Sequence, residues 1–94
     1  MTDKICIRVM ISGRVQGVCF RMETKRVADS FNVSGWVKNN KDGTVEAVFE
    51  GEKKAVESVV RWCEKGPSLS KVSRVDMREE DYNGEFRGFD IIYR

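Results

Sequence analysis

The sequence predicts an α+β sandwich, an antiparallel sheet with two helices on one face. Three observations carry that expectation. Residues 5–11 alternate apolar and polar side chains with a period of two, residues 21–32 and 52–65 repeat apolar side chains every three or four positions, and further alternating runs follow each helical segment. The resulting order, βαββαβ with a possible short extra strand, is a split βαβ succession that closes as two layers around one core. A length of 94 residues suits a single domain spanning 1–94.

Each element has its own signature. In the first strand Ile5, Ile7, Val9 and Ile11 share one face, and Cys6, Arg8, Met10 and Ser12 take the other. The first helix carries Thr24, Val27, Ala28 and Phe31 as one stripe between Lys25, Arg26, Asp29 and Ser30. Residues 33–38 and 44–49 are β-rich, and Asp42-Gly43 between them is a hairpin signal. Val45, Ala47 and Phe49 are expected inward, with Glu46, Val48 and Glu50 outward. The second helix buries Ala55, Val56, Val59, Val60 and Cys63 and stops at Lys65-Gly66-Pro67. Residues 72–77 and 89–93 are two more strands, separated by the polar stretch 78–84. The sheet face away from the helices is left to solvent or to a partner.

Composition narrows the function classes. With 40% hydrophobic and 34% charged residues and one proline, the chain reads as a soluble globule without low-complexity tracts. No apolar run approaches the roughly 18 residues of a membrane span, and the first residues resemble no signal peptide, so a cytoplasmic protein with no membrane partner is expected. Seventeen basic and fifteen acidic residues are scattered without a basic block. The outward Glu46 and Glu50 stand where an RNA-binding sheet shows basic and aromatic groups, so no nucleic-acid partner is expected. Cys6, Cys19 and Cys63 are widely spaced and there is no histidine, which predicts packed, reduced thiols, no metal site and no cofactor. Glu79-Glu80-Asp81 reads as solvated loop surface, and Trp36, Trp62, Phe20 and Phe31 mostly as core.

The chemistry concentrates in Gly13-Arg14-Val15-Gln16-Gly17-Val18-Cys19-Phe20-Arg21, between the first strand and the first helix. Two glycines permit the backbone angles of a tight concave loop, and the arginine offers a planar fork of donors matched to phosphate oxygens. If Arg21 opens the helix, the unpaired N–H groups of the first turn and the helix dipole add to that anion cradle. The spacing is not that of a Walker A loop, so no nucleotide is implied. Taken alone, the segment is better read as a plain strand-to-helix turn with an exposed arginine. A second segment, Gly35-Trp36-Val37-Lys38-Asn39, sets Asn39 at a strand end, where its carboxamide can hold a water. A simple turn accounts for Asn40 better than for Asn39.

Together with Asp42-Gly43-Thr44-Val45-Glu46 and the closing Phe89-Asp90-Ile91-Ile92-Tyr93, these segments resemble the acylphosphatase family nearly end to end. The resemblance implies a ferredoxin-like sandwich and metal-independent hydrolysis of acyl phosphates to a carboxylate and inorganic phosphate, without a phosphoenzyme. Carried onto matching positions, it implies that Arg21 binds the phosphoryl group and Asn39 positions the attacking water. Backbone N–H groups of Gln16, Gly17, Val18, Cys19 and Phe20 would surround the phosphoryl oxygens. Cys19 occupies a variable family position and is not read as a nucleophile, and Asn40 stands where some members have threonine. Carbamoyl-transfer maturation proteins share the cradle in far longer chains, so 94 residues are read as a stand-alone enzyme. A monomer acting on a small-molecule acyl phosphate is expected, with inorganic phosphate or sulfate able to occupy the cradle.

Elementary chemistry agrees with that substrate class. Without histidine the chain lacks the usual general acid for phosphoryl transfer. An acyl phosphate needs none, because its carboxylate leaving group is weakly basic and the transition state is loose. Donors and positioning then suffice. Broad acceptance of small acyl groups is expected, since nothing in the sequence describes a deep second pocket.

Overall fold

In a computed structural model, which describes residues 3–93, seven elements follow one another. They are β1 (Lys4–Arg14), α1 (Phe20–Ser30), β2 (Ser34–Asn39), β3 (Val45–Glu52), α2 (Lys53–Lys65), β4 (Lys71–Glu80) and β5 (Phe89–Ile92). The strands lie side by side as β4-β1-β3-β2-β5. β3 runs antiparallel to β1 and β2, β4 runs antiparallel to β1, and β5 runs parallel to β2. The antiparallel expectation thus holds for four strands and gives way at one edge. The chain leaves β4 on one side of the sheet and returns at the other, so the strand after this crossing points the way β2 does.

The expected inward faces form the core. Val9, Ile11, Val37, Val45, Ala47 and Phe49 from the sheet meet Phe20, Val27 and Ala28 of α1 and Val56, Val59 and Cys63 of α2. Each such burial removes apolar surface worth about 1.5–3 kcal/mol per large side chain. Phe49 stacks on Phe89 at 5.6 Å, fastening β5, and Phe20 meets Trp62 at 5.6 Å, joining the helices. The buried hydroxyl of Thr24 donates to the Phe20 carbonyl at 2.7 Å, so its polarity is satisfied within the helix.

Several expectations are corrected. Phe31 is exposed, because α1 ends at Ser30 and Asn32 turns the chain with a positive φ of 57°. Cys19 is exposed, whereas Cys6 and Cys63 are buried and burial pushes both thiols up. β4 continues to Glu80, so the acidic run begins inside a strand. Its edge position explains why apolar alternation fades there: few side chains of β4 have a layer to pack against.

The face away from the helices is not bare. Arg8 pairs with Glu46 and, at 2.8 Å, with Glu80, and its guanidinium lies 5.5 Å from the Trp36 ring centroid. Trp36 is therefore a surface platform, and Arg8 holds the Glu80 carboxyl below its usual range. Glu50, only 3% exposed, accepts the N–H groups of Asn83 and Gly84 at 3.2 Å each, pinning the crossing segment 81–88 to this face.

β1 and β4 stay paired through a register shift at Ser12/Gly13. Gly13 has φ +122°, and a Cβ there would lie 2.1 Å from the Lys71 carbonyl oxygen. Gly13→Ala is therefore expected to cost about 3 kcal/mol or more in urea unfolding. A loss below about 1 kcal/mol would contradict the close approach of the two strands.

Candidate active site

β1, β2 and β5 all run in one direction, so their C-terminal ends gather at one end of the sheet. Between β1 and β2, Val45 of β3 faces Ile11 on one side and Asn39 on the other. Ile11 consequently lies about 10 Å, two strand spacings, from Asn39, and β1 runs three residues beyond it, to Arg14, before the loop begins. Asn39 shares the side of β2 that Val37 presents to the core, which directs its carboxamide toward the helix layer.

Residues 15–19 make the concave link. Val15 and Val18 are buried and draw the loop inward, while Gly17 and Cys19 take positive φ values of 73° and 63°. A Cβ on Gly17 would meet nothing within 4 Å, so glycine is used there for its backbone angle and not for space. Among the described residues, no backbone or side-chain acceptor takes the N–H groups of residues 16–22, and α1 has no side-chain cap. Open donors at a helix N-terminus, reinforced by its dipole, suit an anion.

The turn between β2 and β3 braces the loop. Gln16 Nε2 donates to the carbonyls of Asn40 (2.8 Å) and Thr44 (3.0 Å). Asp42 accepts from the Thr44 N–H at 3.0 Å and from its hydroxyl at 2.6 Å, and these bonds lower the Asp42 pKa. Asn40 Nδ2 donates to Thr44 Oγ1 at 3.1 Å, so Asn40 shapes the turn.

Loop, helix and strand ends enclose a hollow of about 370 Å³, within the roughly 300–1,000 Å³ of small-molecule sites. Gly17, Cys19, Phe20, Arg21 and Asn39 line it together. Asn39 Oδ1 is buried without a hydrogen-bond partner among the described residues. A buried acceptor left open in this way is uncommon in folded proteins. The helix starts at Phe20, which makes Arg21 its second residue. The Arg21 guanidinium sits 5.0 Å from the Tyr93 ring centroid.

Gln16 and Val18 are expected to act through backbone N–H groups, and their side chains turn elsewhere. The Gln16 side chain is spent on the turn, and Val18 is packed in the core. Four residues that line the hollow, Val15, Met22, Ile91 and Tyr93, were not among the expected site residues. Met22 stands off the helix stripe beside Arg21, a signal that could have been used. Tyr93 required knowledge that β5 lies next to β2. A larger hollow of about 630 Å³ between α2 and β1 has Lys53, Glu57, Arg61 and Glu64 on its walls, charges of both signs with no converging donor set. Among the described residues, no three His, Cys, Asp or Glu side chains gather as a metal would require.

The sequence model described as Acylphosphatase matches residues 7–91. An acylphosphatase of Roseiflexus sp. is 54% identical over 93 residues, covering 99% of this chain and 100% of that protein. The crystal structure of acylphosphatase from Bacillus subtilis superposes with a TM-score of 0.91 at 37% identity, over 95% of this chain and 99% of its own. Full-length HypF matches at a TM-score of 0.88 and 31% identity, over 98% of this chain but 12% of that one.

Gln16 links the cradle to the turn that ends in Asn39's neighbour. Gln16→Met, which keeps length but removes the donor, is expected to cost about 1–3 kcal/mol in thermal or urea unfolding and to weaken inorganic phosphate binding. Unaltered phosphate affinity would show that the brace does not shape the cradle.

Proposed function

The chain belongs to the acylphosphatase family, and from that membership we propose how its own residues hydrolyse an acyl phosphate. The protein is an enzyme that cleaves the carboxyl–phosphate bond of acyl phosphates. Arg21 grips two phosphoryl oxygens with its guanidinium fork, and the N–H groups of Gln16, Gly17, Val18, Cys19 and Phe20 close around the others. Asn39 Oδ1 accepts a hydrogen bond from the attacking water and holds its oxygen in line with the phosphorus.

The water oxygen bonds to phosphorus as the bond from phosphorus to the carboxyl oxygen breaks. The electron pair of that bond leaves with the carboxylate, and the proton released from water passes to solvent or to the phosphate product. The negative charge that develops on the leaving oxygen is that of a weakly basic carboxylate, stable without a proton, so the missing histidine carries no penalty. Charge redistributing over the equatorial oxygens meets donors already oriented toward it. The observation that carries this assignment is the unpartnered, buried Oδ1 of Asn39 in the same hollow as Arg21.

The proposal extends to the whole chain, residues 1–94, acting as one domain on small-molecule acyl phosphates, with phosphate or sulfate as simple occupants of the cradle. Alternating charges on the β4 edge, Arg74, Asp76 and Arg78 among them, oppose strand-to-strand association and favour a monomer. Three free cysteines suit a reducing cytoplasm.

With chelator present, the purified protein is expected to hydrolyse acetyl and benzoyl phosphate while leaving phosphomonoesters nearly untouched. Loss of activity on chelation would sink the metal-independent reading. Arg21→Lys is expected to lower kcat/KM at least about 100-fold, since the fork is lost although the charge remains. Asn39→Ala should lower kcat with inhibition by inorganic phosphate largely kept; a variant that instead lost phosphate affinity while folded would refute water positioning by Asn39.

A further inference from the structure

The hollow has a second half that phosphate chemistry does not use. Met22 and Tyr93 are 65% and 77% exposed, and with Ile91 they form an apolar wall beside the cradle. Neither Met22 nor Tyr93 contributes to the core, so their bulk is not explained by folding. The Arg21 guanidinium, 5.0 Å from the Tyr93 ring centroid, ties this wall to the phosphate grip. A phosphoryl group held by Arg21 therefore has an aromatic ring and a thioether within reach of whatever it carries.

We propose that Met22, Ile91 and Tyr93 are an acyl-binding wall, so that the enzyme selects acyl phosphates with a flat aromatic acyl group over acetyl phosphate. This rests on the assignment of the cradle and Arg21 to the phosphoryl end. It narrows the expectation of broad acceptance of small acyl groups. An aryl ring packs against a tyrosine ring edge or face and against the polarisable sulfur of methionine, whereas a methyl group is too small to touch both. The acyl substituent does not change as the phosphorus–oxygen bond breaks. Its contacts are equal in the ground and transition states, so selectivity belongs in KM and not in kcat.

The test compares kcat and KM for benzoyl and acetyl phosphate in the unaltered enzyme, Tyr93→Ala, Met22→Ala and Tyr93→Phe. Comparing the ratio of the two substrates between variants cancels their different intrinsic reactivity. The benzoyl-to-acetyl ratio of kcat/KM should fall about three- to tenfold in Tyr93→Ala, mainly through the KM for benzoyl phosphate. It should fall in the same direction in Met22→Ala and be retained in Tyr93→Phe. Equal losses on both substrates in Tyr93→Ala would overturn the wall and reduce Tyr93 to a support for Arg21. An unchanged ratio in both alanine variants would overturn it as well. If the unaltered protein hydrolysed neither substrate, the cradle assignment itself would fail, an outcome separable from failure of the wall.

Discussion

β3 lies between β1 and β2 and is hydrogen-bonded to both, and its first residue, Val45, meets Ile11 on one side and Asn39 on the other. That register sets the distance from the anion-binding loop to the carboxamide across from it. A slip of one residue in either pairing would turn Asn39 out of the helix side of the sheet and set it on the face occupied by Lys38 and Trp36. The buried Val45, Ala47 and Phe49 on one face of β3 make such a slip costly, because it would expose all three. Core packing in the middle strand is thus what keeps two separately encoded segments in one site.

The site itself is built with little side-chain chemistry. Its donors are largely main-chain N–H groups at the start of α1, and they are available because no cap consumes them. Their direction depends on Val15 and Val18 being anchored in the core and on Gln16 being tied to the hairpin turn. One arginine and one asparagine complete the set. These tethers suit the proposed chemistry, since donors that must reorganise during a reaction lose most of their worth in stabilising a charge-dispersing transition state.

Much of this was legible in the residues. Strict alternation in Ile5, Ile7, Val9 and Ile11 and helical spacing in Val56, Val59, Val60 and Cys63 named the elements, because one buried face leaves its period in the sequence. The glycine spacing of the loop and the position of Asn39 before a turn pointed to two segments that the fold brings to one hollow. What stayed hidden depends on neighbours that local sequence does not record. The parallel pairing of β5 with β2 follows from a crossing of the whole sheet, and without it neither Ile91 nor Tyr93 can be placed near Arg21. Glu50 looked like an outward, solvated acid, yet it is buried because the crossing segment brings two N–H groups to it. Cys19 looked like a small packed hydrophobe, but an N-cap position in the left-handed region turns it to the surface.

β5 is four residues long, lies at the sheet edge, and buries one large side chain, Phe89, against Phe49. Most of the remaining core residues come from β1, β2, β3 and the two helices. Its attachment consequently belongs to the low end of the molecule's range of local stabilities, where short edge pairing opens without global unfolding. Opening there would withdraw Ile91 and Tyr93 while leaving the loop, Arg21 and Asn39 in place. The hollow is thus lined from two sources, the loop and helix start on one hand and the last strand on the other, so changes in the last strand reshape one side of it while the loop that forms the other is encoded elsewhere.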